Sequence, residues 1–189
     1  MKKTILITFI LLLPATVCAQ DHVKEWELFG SLGGSAVFDD EGKIGSGLDV
    51  GGGISYRITP KLAIEGQFNR IAFERDFGGF SPVRFKGRNL FGTASLVYHF
   101  RTAQVQPYVL AGGGFVNHEF SVELPPFPSF VERGSNGGAV NVGTGVKVFV
   151  NQSVSIRPEF RLLVGFPNDL GLAPPISEWR GSVAVGFHW

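Results

Sequence analysis

The sequence predicts an all-β fold: an eight-stranded antiparallel up-and-down transmembrane β-barrel with short periplasmic turns and long outer loops. Three observations carry this expectation. Apolar residues alternate with polar or small ones in eight segments, which is the period of a half-buried strand and not of a helix. The connections alternate in length along the chain, so that up-and-down order gathers the short ones at one end. Large aromatics collect on the apolar faces near that end, where a membrane interface holds them.

The chain opens with Lys2 and Lys3, an apolar run from Ile5 to Leu13 ended by Pro14, and the small-residue site Val17-Cys18-Ala19. Residues 1–19 therefore read as a secretory signal peptide, too short to span a membrane as a helix, and residues 20–189 as one barrel domain. A lipoprotein reading of Cys18 also ends in export, although Val17 is large for such a site. Cleavage after Ala19 removes the only cysteine, so the exported chain forms no disulfide. Removing Lys2 and Lys3 leaves 15 of the 17 basic residues against 16 acidic ones, and no polybasic stretch argues for nucleic acid.

The eight segments follow in order: 25–38, 47–58, 62–75, 87–100, 105–118, 136–150, 154–165 and 179–189. They run 11 to 15 residues, long for soluble strands and suited to tilted ones that place about 9 to 11 residues in lipid. The second divides Leu48, Val50, Ile54, Tyr56 and Ile58 from Asp49, Ser55 and Arg57. The third sets Leu62, Ile64 and Phe68 against Glu65, Gln67 and Asn69, then loses phase at Ile71 and Phe73, as a bulge near Arg70 or emergence from lipid would cause. The fifth, with "AGGGF" at 111–115, is ambiguous in phase. The sixth sets Val140, Val142, Val146 and Val148 against Asn141 and Lys147, and the seventh sets Val154, Ile156, Pro158, Phe160, Leu162 and Val164 against Ser155, Arg157, Glu159 and Arg161. The eighth puts Val183, Val185, Phe187 and Trp189 on one face.

Alternation leaves open which face is inside, since a lipocalin-like barrel would turn its apolar face toward a ligand. The membrane arrangement is favoured by the aromatics Trp26, Tyr56, Tyr98, Phe100, Phe187 and Trp189 near the short-turn end, with Trp179 and Phe115 toward the other. The short connections are 59–61, 101–104 and 151–153, and the longest, from Glu119 to Asn136, follows the fifth segment.

On these residues, and on "QPYVLAGGGF" at 106–115, the chain from about Trp26 to Trp189 resembles the small eight-stranded outer-membrane barrels related to the transmembrane domain of OmpA, the porin-family outer-membrane proteins. The resemblance implies a bacterial outer-membrane location, contact with outer-membrane lipid and lipopolysaccharide, and handling by the barrel-assembly machinery. It also implies that the machinery reads an aromatic ending an alternating strand, here Val183, Val185, Phe187 and Trp189, with Trp189 in place of the more usual Phe. Closure of such a barrel makes a monomer sufficient.

At eight strands the interior is just wide enough for side chains to fill it. The expected lumen cluster is Asp49, Arg57, Glu65, Lys147, Arg157, Glu159 and Arg161, either a paired structural plug or the wall of a narrow ion path. A hydrophobic-substrate channel is a further transport reading. His118, Ser121 and Glu123 weakly suggest the lipid A-modifying hydrolases among small barrels, but His118 and Ser121 point to opposite faces of a continuous strand. His22, His99 and His188 lack metal-ligand spacing, and neither cofactor nor metal is expected. The expected function is a non-enzymatic barrel whose outer loops offer a surface to an extracellular ligand. The candidate contacts are Phe77, Phe80, Arg84, Phe85 and Lys86 in one loop and Phe127 and Phe130 in another, which bind a partner or pack on one another. Arg84, Lys86 and Arg88 also offer charge to lipopolysaccharide phosphates.

Overall fold

The computed structural model describes residues 25–39, 42–77, 83–123, 133–167 and 175–189. They form eight strands: β1 (Trp26–Asp39), β2 (Gly42–Thr59), β3 (Leu62–Phe77), β4 (Val83–His99), β5 (Val105–Glu123), β6 (Arg133–Phe149), β7 (Val154–Pro167) and β8 (Ile176–His188). Each pairs antiparallel with its neighbour in sequence, and β1 pairs with β8, closing the barrel. Closure is sealed at the lower rim by reciprocal bonds, Trp26 N to Trp189 O at 3.3 Å and Trp189 N to Trp26 O at 3.2 Å. No strand edge is left for another chain to extend.

The strands reach further at the upper end than alternation indicated. β2 begins at Gly42 instead of residue 47, β4 at Val83 instead of 87, β6 at Arg133 instead of 136, and β5 runs on to Glu123. Above the lipid band polar side chains are tolerated on both faces, so alternation fades while backbone pairing, such as Arg84 with Glu123, continues. The length parity also has an exception. Asp39 pairs with Gly42, so the connection after β1 is short, and Gly42 takes the φ of 125° open to glycine.

The outward face carries Leu28, Leu32, Val50, Ile64, Leu96, Val142 and Val185, all exposed, while charged and amide side chains fill the inside. Such an apolar wall would be unstable in water and is what hydrocarbon requires. Aromatics rim it below, where Trp26 meets Tyr56 with ring centroids 4.7 Å apart and Phe187 meets Trp189 at 6.1 Å. Above, Phe160 meets Trp179 at 5.7 Å, and Phe68 and Phe115 meet at 6.2 Å over Gly92, where a Cβ would lie 2.4 Å from the Phe115 ring.

The phase problem in β3 has a different cause from either one expected. Register with β2 and β4 runs unbroken past Arg70, so there is no bulge. Ile71 and Phe73 stay on the inner face and are buried with Val37, Phe91, Val116, Ala139 and Leu163 in an apolar cluster. The upper barrel thus has a hydrophobic interior above a charged one. In β5 the phase resolves with Tyr108, Leu110 and Val116 inward and Val109 and Phe115 outward.

Candidate functional site

The period of two that faces valines to lipid turns the intervening charges inward, and these converge from six strands. The three largest fully buried side chains are arginines, Arg157, Arg161 and Arg180. At the lower end, Glu27 on β1 holds Lys147 Nζ at 2.5 Å and Arg157 Nη1 at 3.4 Å. At mid-height, Arg157 Nη2 reaches Glu65 Oε2 at 2.8 Å and Glu159 Oε2 at 3.3 Å, and its guanidinium lies 4.5 Å from the Phe29 ring centre. One step higher, Arg161 Nε donates to Glu159 Oε1 at 2.5 Å, and Arg161 also pairs with Glu65. Arg180 reaches Glu159 Oε1 at 3.2 Å and Asp49 Oδ2 at 3.4 Å, while Asn69 donates to Asp49 Oδ1 at 3.0 Å. Tyr108 Oη completes the set by donating to Glu159 Oε2 at 2.7 Å.

Of the residues expected in the lumen, Asp49, Glu65, Lys147, Arg157, Glu159 and Arg161 are brought together in this network. Arg57 stands apart at the lower mouth, half-buried and bonded to Pro60 O and Gln106 Oε1, each at 3.1 Å. The inspection of single segments missed Glu27, Tyr108, Glu178 and Arg180. Glu27 sits between the outward Trp26 and Leu28, and Glu178 and Arg180 flank the outward Trp179, so the same period of two, carried to the ends of β1 and β8, finds three of them. Tyr108 gave no signal, because its strand was ambiguous in phase.

Glu178 is fully buried and neither of its carboxylate oxygens has a hydrogen-bond partner. It lies toward the upper end, between Arg180 and the apolar cluster. At the lower mouth, a cavity of about 10 Å³ lined by Glu27, Arg57, His99, Lys147 and His188 has room for about one water. A groove of about 610 Å³ lies instead on the lipid-facing wall, along Leu32, Pro158, Phe160, Gly181 and Val183.

Two arrangements bear on enzymatic chemistry. His118 turns inward, where its Nδ1 contacts Asn89 Oδ1, while Ser121 on the opposite face of β5 bonds Lys86 O at 3.5 Å. Ser155 Oγ lies 2.8 Å from His188 Nε2, but Glu27 Oε1 lies 3.6 Å from that same nitrogen. A relay needs the acid on the other ring nitrogen. Ser155, His188 and Glu27 are also buried from any substrate. Among the described residues no three His, Cys, Asp or Glu side chains are grouped to hold a metal.

Of the loop contact candidates, Phe80, Phe127 and Phe130 lie outside the described residues, as do the side chains of Phe77, Arg84 and Phe85; Lys86 is half-buried. Backbone register places Arg84 between Asp76 and Glu123, Lys86 between Glu74 and Ser121, and Arg88 between Ala72 and Glu119. Arg88 and Glu119 form an ion pair, both about half exposed. The basic run of β4 is therefore flanked by acids on β3 and β5. The outward residues Val183, Val185, Phe187 and Trp189 are each at least half exposed along the β8 wall.

Comparison with known proteins agrees with this geometry. The chain is 27% identical over 118 residues to outer membrane protein Omp38 of Acinetobacter baumannii, a match covering 60% of this chain and 32% of that protein. The chain thus aligns with about a third of the length of the curated relatives it matches. Among solved structures it is similar to Neisserial surface protein A, with a TM-score of 0.62 at 18% identity, covering 87% of this chain and 97% of that one. It is also similar to Ail, the attachment invasion locus protein of Yersinia pestis, with a TM-score of 0.56 at 17% identity over 88% and 99% of the two chains. These structures share the fold. The profile of the outer membrane protein beta-barrel domain matches residues 5–181, and with a lipid-facing apolar wall around a charged interior, this chain belongs to that family of bacterial outer-membrane barrels.

Proposed function

We propose that the protein is a non-enzymatic, electrically closed barrel whose lumen is a packed core and whose outer loops present the surface for a partner. The observation that carries this reading is the two-storey interior. An ion-pair network links six strands across the lumen, and above it Val37, Ile71, Phe73, Phe91 and Leu163 are at most 2% exposed. Hydrated ions would have to pass both layers, and dehydrating an ion against apolar side chains is costly. His118 and Ser121 on opposite faces of β5 support the non-enzymatic part.

The test is conductance of the refolded protein in a planar bilayer, after a gel-mobility shift on boiling has established the folded barrel. A silent membrane is the expected result. Sustained steps that change on neutralising Arg157 or Glu159 would overturn the closed reading in favour of a narrow pore. Lipid A incubated with the folded protein should be recovered with its acyl chains intact, and a deacylated product would establish a hydrolase. On the same reading residues 1–19 are removed during export, so the mature protein should begin at Gln20. The partner surface centres on Phe80, Phe127 and Phe130 and their neighbours, where proline-stiffened aromatics lose little entropy on binding.

A further inference from the structure

Arg70 is an exposed guanidinium on the lipid-facing wall, and its strand neighbours Asn69 and Ile71 are both buried inside. Below it on the outward face of β3 lie Phe68, Gly66, Ile64 and Leu62, all part of the apolar band. To either side, register sets it against Val50 on β2 and Leu90 on β4, both exposed apolar residues. Arg70 thus interrupts the band one position early. Among the described residues it makes no ion pair and no side-chain hydrogen bond, whereas Arg88, its diagonal neighbour on β4, has Glu119.

A cation at that depth cannot remain without a counter-charge, because apolar neighbours and hydrocarbon give it neither water nor hydrogen bonds. Its remedy is to extend along the wall toward the headgroups. The way is open: the next outward residue on β3 is Ala72, one strand step or about 5 Å higher, with Leu48 and Arg88 on its two sides. Arg70 and Arg88 therefore both border this small residue at the upper margin of the apolar wall, Arg70 below it on β3 and Arg88 beside it on β4. This is the end with the longer connections, which in such barrels faces outward.

We propose that Arg70, assisted by Arg88, binds the phosphate of an outer-leaflet lipid headgroup, with the lipid's acyl chains lying on Phe68, Val50 and Leu90. The chemistry is that of a planar guanidinium fork with a phosphate in a water-poor interface. This inference rests on the outer-membrane placement and is independent of whether the lumen conducts. It also moves the centre of the lipid contact from Arg84 and Lys86, which are flanked by acids, to Arg70, with Arg88 the one member of that run that takes part.

The test uses the refolded protein in neutral phosphatidylcholine nanodiscs, supplied with phosphorylated lipid A or with lipid A stripped of phosphate, and bound lipid is counted by native mass spectrometry. Wild type should retain the phosphorylated form preferentially. Arg70→Leu, which extends the apolar band between Val50 and Leu90, should lower that retention about fivefold, and Arg70→Lys should keep most of it. Equal retention by folded Arg70→Leu overturns the proposal, as does equal binding of the two lipids by wild type, a result that needs no variant. Displacement by millimolar inorganic phosphate would show a free-anion site, and dimers lost in Arg70→Leu would show a second copy as the occupant; either overturns the lipid assignment. If Arg70→Leu does not fold, Arg70→Gln carries the same comparison. Conductance failing to match the closed reading would leave this lipid result unchanged, so the two failures are distinguishable.

Discussion

Arg157 Nη2 on β7 lies 2.8 Å from Glu65 Oε2 on β3, a contact that crosses the lumen between strands far apart around the barrel wall. Backbone pairing joins only adjacent strands, so contacts of this kind brace the cylinder across its diameter. Arg157 extends the brace to β1 through Glu27 at 3.4 Å. Buried arginine suits the task because its fork serves several acceptors at once and does not give up its charge.

The heaviest node is Glu159, which accepts from Tyr108, Arg157, Arg161 and Arg180. Glu159→Ala leaves those donors facing one another without their shared acceptor. We expect it to lower stability in detergent by roughly 3 to 5 kcal/mol, the usual cost of removing one partner from a buried ion pair. The temperature at which the folded gel band is lost is the readout, and an unchanged transition would show that Glu159 carries no cross-barrel load.

Glu178 should behave oppositely. It is more deeply buried than Glu159, but neither carboxylate oxygen has a well-formed hydrogen bond, Asn89 being the donor side chain beside it. Glu178→Gln removes a buried charge without removing a hydrogen bond, so its effect should stay below about 1 kcal/mol or be stabilising. A loss as large as that of Glu159→Ala would mean that Glu178 acts as a needed counter-charge for Arg180.

The upper storey is tested at Gly87. A Cβ there would lie 2.1 to 2.7 Å from atoms of the Phe73 ring, which occupies the space above the glycine. Gly87→Ala forces that ring off its seat in the apolar cluster and should cost about 1 to 3 kcal/mol by overpacking. Phe73→Leu, introduced with Gly87→Ala, should restore much of the loss in the same melting assay. No rescue would mean that the strain is in the backbone of β4.

Trp189 separates folding from assembly. It faces outward at half exposure and touches Phe187, and its backbone, not its indole, closes β8 on β1. Trp189→Ala refolded in detergent should melt within about 3 °C of wild type, since little buried area is lost. In cells the amount reaching the outer membrane should fall if the assembly machinery reads that side chain. Equal amounts by immunoblot of outer-membrane fractions would remove Trp189 from the recognition signal.

The alternation of side chains, read with the connection lengths and the aromatic rim, was enough to determine eight strands, their order around the barrel and the face turned to lipid, except in the upper part of β3 and in β5. In β7, for example, Arg157, Glu159 and Arg161 oppose Ile156, Phe160 and Leu162, and a period of two admits no other sorting. What alternation cannot carry is anything that depends on which residues meet across the lumen. Glu65 and Arg157 are 92 residues apart, and only closure and shear bring them to one height. The same holds for the upper storey, where Ile71 and Phe73 read as a break in β3 because apolar residues on both faces erase the pattern. They are buried because Val37, Phe91 and Leu163 arrive from other strands to cover them. Arg70 shows both sides of the limit: its place on the outward face follows from the period of two, whereas its isolation between Val50 and Leu90 is a property of strand register, which only the folded barrel decides.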